Sequence, residues 1–213
     1  GTLDTGFGTG GKVTTDWLGG YDDSFGDAIL ANGRIVVAGN AQIPGGVSMF
    51  AIACYDSNGN PDPSFGTEGK VTNNFSGAGG LCYALAGQAD GKVIVGGITF
   101  DSFGSYFTLV RYNGNGSLDT SFGVGGTVRT APAGNYGQIR ALLIQPDGKI
   151  IAGGETISGP TANNGPNFDF GLARYDTSGD LGPTFGTGGK AVTVFFAWGV
   201  AVRRLALEPD GKI

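Results

Sequence analysis

The chain has 213 residues, 40% of them hydrophobic, a formal net charge of -5 and no histidine. That length and apolar content suffice for a buried core in one large domain or two small ones and exclude a disordered chain. The acidic balance argues against a nucleic-acid partner, which needs clustered Lys and Arg. Without His, the Ser/His/Asp, Cys/His and His-zinc sites cannot be built.

Glycine is far above its usual share at 43 residues, but it follows no triplet period and proline is only 9. Collagen and low-complexity readings therefore fail, and the glycines are read as turn markers. No apolar run approaches the roughly 20 residues of a membrane-spanning helix, and no basic start before an apolar core marks a signal peptide. A soluble chain without membrane insertion is expected. Cys54 and Cys82 have no CxxC spacing and are read as buried thiols, with a disulfide as the alternative.

In chain order, two markers alternate. The first is LDTGFGTGGKV from Leu3, PDPSFGTEGKV from Pro61, LDTSFGVGGTV from Leu118 and LGPTFGTGGKA from Leu181. The second is NGRIVVAG from Asn32, DGKVIVGG from Asp90, DGKIIAGG from Asp147 and a truncated DGKI from Asp210. The FG glycines Gly8, Gly66, Gly123 and Gly186 are spaced by 58, 57 and 63 residues, and the turn glycines Gly33, Gly91, Gly148 and Gly211 keep the same series. Such self-similarity is the signature of a repeat architecture.

The chain opens with an expected outer strand at residues 12–17. Each following unit reads as four short strands, because β-branched, aromatic and aliphatic residues cluster in short runs between Gly, Asn, Asp and Pro. In the third unit the runs are 138–145, 149–155, 168–176 and 190–195. The Pro146-Asp147-Gly148-Lys149 step predicts a tight hairpin turn between the first two. The second strand, Ile150-Ile151-Ala152 or Ile35-Val36-Val37-Ala38, is apolar almost throughout, which predicts cover on both faces. The third, Phe170-Gly171-Leu172-Ala173-Arg174-Tyr175, alternates as a pleated strand with two different faces does.

A four-stranded antiparallel unit repeated at this period must pack face to face with its neighbours. The fold class predicted is all-β, a β-propeller segment of about three and a half blades forming one domain over residues 1–213; a stacked solenoid is the alternative. The repeated turns are expected at one end and the variable loops at the other. A ring of that size requires either further chain after Ile213 or a second molecule.

The pattern LDxSFGxxGKV, PDGKIIAGG and DFxLARYDxxGxLD, carried over essentially the whole chain, resembles the delta-60 repeat family of bacterial β-propellers. That resemblance implies a propeller domain of a large secreted or surface protein, hence an extracellular or cell-surface location, with no established catalytic activity in the repeat. The sequence departs from the pattern at Cys54, where the other units have Arg111 and Arg174, at Asn32 and Arg34 in the first turn, at Pro61 for leucine and at Gly182 for aspartate. Each departure is expected to weaken a local contact.

Candidate sites follow from the repeat. The segments from Asp56 to Asp62 and from Asn113 to Asp119 carry oxygen ligands near calcium-loop spacing, but strand-connecting turns use the same residues, so no metal and no cofactor is assigned. Asp4, Asp62 and Asp119 are expected to bond backbone amides or pair with arginine, and Phe7, Phe65, Phe122 and Phe185 to plug the core beneath the FG turns. Propellers in general place the strand before the DGK turn innermost, which puts Phe25, Tyr83, Arg140 and Arg203 at equivalent positions around a channel. Tyr83 and the arginines could hold an anion there, or could line a purely structural channel.

The variable loops at residues 16–24, 42–48, 100–106, 131–137 and 156–167 carry or adjoin Trp17, Tyr21, Phe100, Phe103, Tyr106, Tyr136 and Trp198. These rings are the candidate anchors for a glycan or protein partner, packing between blades being the alternative. The expected function is a non-enzymatic binding scaffold. The alternatives are a structural spacer or self-assembling unit, with homo-oligomers through open blade edges, and more distantly a hydrolase using Asp22, Asp23, Asp101 or Glu155.

Overall fold

Short β-branched runs broken by glycine turns favour meanders over long-range crossovers, and the chain folds accordingly. The computed structural model describes residues 1–17, 19–42, 44, 46–75, 79–159, 168–194 and 200–213. The first sheet contains β1 (Asp22–Ile29), β2 (Ile35–Gln42), β3 (Ser48–Tyr55) and β4 (Lys70–Asn73); the second, β5 (Gly80–Gly87), β6 (Val93–Asp101), β7 (Gly104–Tyr112) and β8 (Thr127–Thr130). The third contains β9 (Gly137–Ile144), β10 (Ile150–Thr156), β11 (Asp169–Tyr175) and β12 (Lys190–Thr193). Each sheet is a four-stranded antiparallel meander in chain order.

The turn between the first two strands of each sheet has the predicted chemistry. Gly148 sits at φ 81°, its amide donates to the Gln145 carbonyl at 2.9 Å, and Asp147 accepts the Lys149 amide at 3.1 Å. These turns and the long FG connections lie at one end of the sheets. The β2–β3, β6–β7 and β10–β11 connections lie at the other, as expected.

Both faces of the middle strands are covered because the sheets pack against each other. Val93 and Val95 of β6 point into a core shared with Val36, Phe50, Ile52 and Phe65, whereas Ile94 between them points into a second core with Leu109, Phe122, Ile139 and Ile150. Alternation thus puts one strand into two cores at once, which is why its sequence reads as an unbroken apolar run. The sheets come closest along β1, β5 and β9.

Each of these three strands carries a bulge at the same step. Pairing slips between Ser24 and Gly26 in β1, between Cys82 and Ala84 in β5, and opposite Gly153 and Gly154 in β9. The extra residues are Phe25, Tyr83 and Arg140. Facing each bulge is a glycine, Gly39, Gly97 or Gly154, where a Cβ would stand 1.8 to 1.9 Å from the carbonyl oxygen of Asp23, Leu81 or Gln138. The repeated second glycine of the AG and GG pairs is therefore a condition for the bulge, a signal that sequence reasoning used only as a marker.

Two expectations are corrected. Residues 12–17 form no sheet strand beyond a single bridge between Gly8 and Lys12. The equivalent strands β4, β8 and β12 each pair with a preceding strand of their own unit, whereas residues 1–11 form turns and no sheet strand. Residues 100–106 are not an open loop: Phe100 and Tyr106 continue β6 and β7, paired as Phe100 with Ser105 and Thr99 with Tyr106.

Candidate functional site

The two ends of the sheets use their polar groups differently. At the repeated end, the amides of three of the four FG glycines donate to a turn carbonyl of the following unit: Gly8 to Asn58 at 2.7 Å, Gly66 to Asn115 at 2.9 Å and Gly123 to Ser178 at 2.8 Å. The receiving turns fit closely, since a Cβ on Gly179 would lie 2.9 Å from the Phe122 ring. Phe65 and Phe122 are fully buried beneath these contacts, as predicted for plugs, while the terminal Phe7 and Phe185 are half-buried.

Arginine ties the same joint. Arg111 Nε pairs with Asp119 Oδ2 at 2.8 Å, its Nη1 donates to the Thr177 carbonyl of the next unit at 2.5 Å, and the guanidinium lies 4.5 Å from the Phe122 ring centre. In the first unit Cys54 replaces this arginine, and Arg34 reaches over from the adjacent hairpin turn to fill the place. Its Nε pairs with Asp62 at 2.8 Å, and its Nη2 donates to the Gly114 carbonyl at 2.8 Å.

The expectation that both departures weaken contacts is thus corrected: they compensate each other. In the third unit Gly182 removes the aspartate, and Arg174 instead donates to Thr184 Oγ1 at 2.8 Å. The oxygen-rich turns are likewise spent on backbone. Asp56 accepts the Asn58 and Asn60 amides at 2.8 and 2.9 Å, and Asp4 accepts that of Gly6 at 2.9 Å. Cys54 and Cys82 are buried free thiols; burial pushes Cys82 up to about 12.

At the opposite end the candidate aromatics divide. Tyr21 and Phe103 stand 70% and 80% exposed, and Phe100 is more modestly so. Tyr106 is half-buried beneath Arg129, 4.2 Å from its ring centre, and its hydroxyl donates to Asp101 Oδ1 at 3.2 Å. Asp101 also pairs with Arg129 at 2.8 Å and accepts the Phe103 amide at 2.8 Å. Those bonds hold Asp101 below the usual carboxylate range, the Phe103 amide contributing most. Trp17 is half-buried near Lys70, and Tyr136 packs edge-on against Phe168 with its hydroxyl on Gln138 Oε1 at 2.8 Å. Trp198 lies outside the described residues.

Of the channel candidates, three meet. Phe25 contacts Tyr83 edge-on at 5.2 Å between ring centres, and the Arg140 guanidinium lies 4.4 Å from the Tyr83 ring centre. Arg140 Nε also pairs with Glu155 Oε1 at 2.8 Å. Arg203 is exposed, with no ion pair or ring contact to the other described residues. Sequence reasoning missed Arg129 and Gln138, because neither occupies a repeated position with a distinctive residue type. Asp101 and Glu155, weighed as hydrolytic acids, are each engaged by an arginine, and Asp22 accepts the Trp17 amide at 3.1 Å.

Three meandering four-stranded sheets, packed face to face and tied turn to turn at one period, define an all-β repeat protein of the propeller class. A family model described as "Domain of unknown function (DUF5122) beta-propeller" matches residues 30–65, 88–122 and 145–185, more than half of the chain. The chain belongs to this β-propeller family. A search of curated proteins finds no match.

Proposed function

We propose that the chain is a non-enzymatic propeller scaffold of the delta-60 type, from a secreted or surface bacterial protein, and that it binds a glycan or protein partner through its variable end. One observation carries the reading. The amides of Gly8, Gly66 and Gly123 and the side chains of Arg34 and Arg111 are consumed in joints between units, while Tyr21 and Phe103 project at the variable end. Tyr21 stands immediately before β1 and Phe103 in the tight β6–β7 turn, and exposed aromatics on short connections of a rigid scaffold are effective anchors. Replacing Tyr21 and Phe103 with Ala should abolish capture on a glycan array and from surface-protein extracts without changing the melting temperature. Full capture by that variant, with loss on mutating Asp90, Asp147 or Lys149, would place the site at the wrong end.

A second reading is self-assembly through the outward faces of the first and third sheets. Arg34 and Arg111 each reach a carbonyl of a following unit through an Nη atom, whereas Arg174 donates to Thr184 of its own unit and to no following unit among the described residues. That is a local reason for the third sheet to accept another unit of its own kind.

A further inference from the structure

The bulges in β1, β5 and β9 hold their backbone constant and vary the side chain they aim. A bulge leaves its extra residue outside the ladder and redirects it, and such devices are enriched beside binding sites. Here the redirected residues are Phe25, Tyr83 and Arg140, which form one continuous strip where the sheets converge.

Packing alone explains the aromatic pair but not the arginine. Arg140 is mostly buried, its side chain 23% exposed, and it is met by Glu155 at 10%. Glu155 occupies the position held by Asn40 and Ile98 in the other units. In the first unit that position is structural, since Asn40 accepts the Cys82 amide at 2.7 Å. A half-desolvated ion pair contributes little net stability over apolar residues of similar size. The first two units carry neither charge at these positions, so the pair in the third points to a task other than folding.

The geometry of the pair suits an anion receptor. Glu155 engages Nε and the Tyr83 ring covers one face of the guanidinium, which together fix its orientation. Nη1 and Nη2 have no hydrogen-bond partner among the described residues, and a guanidinium edge so fixed matches a carboxylate with two parallel bonds. Along the same strip, Phe25 is 51% exposed and offers an apolar ring of the kind on which a sugar face packs. The net charge of -5 disfavours a polyanion, so a single carboxylate on an otherwise neutral sugar fits best.

We infer that the strip Phe25–Tyr83–Arg140 is a binding site for a sugar that carries one carboxylate, with the carboxylate on Arg140 and the sugar ring against Phe25. These side chains differ from the exposed rings of the variable end, so the two readings fail separately.

The test is a titration of the whole chain with methyl β-glucuronide and with methyl β-glucoside, which lacks only the carboxylate charge, followed through the Nε–H resonance of Arg140. The glucuronide should shift that signal saturably and the glucoside should not. Arg140→Lys keeps the charge but loses the planar fork and should weaken binding about tenfold. Phe25→Ala, at an exposed ring, should weaken it about fivefold, and Tyr21→Ala and Phe103→Ala should leave it unchanged. Equal binding of the two sugars, no saturable shift up to about 50 mM, or wild-type affinity in Arg140→Lys and Phe25→Ala would each overturn the assignment.

Discussion

Asp119 shows how one side chain joins local turn and inter-unit contact. Its Oδ1 accepts the Ser121 hydroxyl at 2.6 Å and the Ser121 amide at 3.1 Å. Its Oδ2 faces Arg111 at 2.8 Å and Lys92 at 3.0 Å. The Ser121 hydroxyl, with Lys92 and Arg111 behind it, holds the carboxyl far below the ordinary carboxylate range. Because the folded value is depressed, this stabilisation is complete above the unfolded value of about 4 and is lost as the pH falls below it. Asp119→Asn should therefore lower stability by about 1–3 kcal/mol at neutral pH, and the deficit should shrink toward pH ~2.5. Urea midpoints of the two proteins at both pH values check this. A deficit that does not change with pH would mean that the ionised form is not what Asp119 contributes.

At the scale of the element, the two glycines of the GG pair have different duties, although sequence presents them alike. The first, Gly96, has room to negotiate: an added Cβ would stand 3.0 Å from a methyl of Ile139, and the first sheet already carries Ala38 there. The second, Gly97, has none, because its Cβ would fall 1.9 Å from the Leu81 carbonyl oxygen. Backbone cannot yield as a flexible side chain does, so Gly97→Ala should cost about 2–4 kcal/mol, and Gly96→Ala less than about 1.5 kcal/mol. Thermal melts of the pair decide it, and equal losses would show that the bulge in β5 can relax. The expected strand at residues 12–17 fails for a related reason. Its residue pattern matches β4, β8 and β12, but a short strand exists only where a partner offers the ladder.

For the whole molecule, the joints run in one direction, from the FG turn and arginine of one unit to the turn of the next. The self-assembly reading therefore predicts concentration-dependent association through the outward sheet faces, seen as a rise in mass by light scattering. A monodisperse monomer at high concentration would refute it.

The period, the strands and the assignment of turns and loops to opposite ends were legible in the residues, because glycine spacing and apolar runs are set locally by φ preference and side-chain alternation. Tertiary structure alone decided that Arg34 stands in for the arginine missing at Cys54, that Tyr21 and Phe103 are exposed while Tyr106 and Tyr136 are covered, and that Phe25, Tyr83 and Arg140 meet. Those outcomes depend on which residues of different units come within contact distance, and separation along the chain carries no record of that distance.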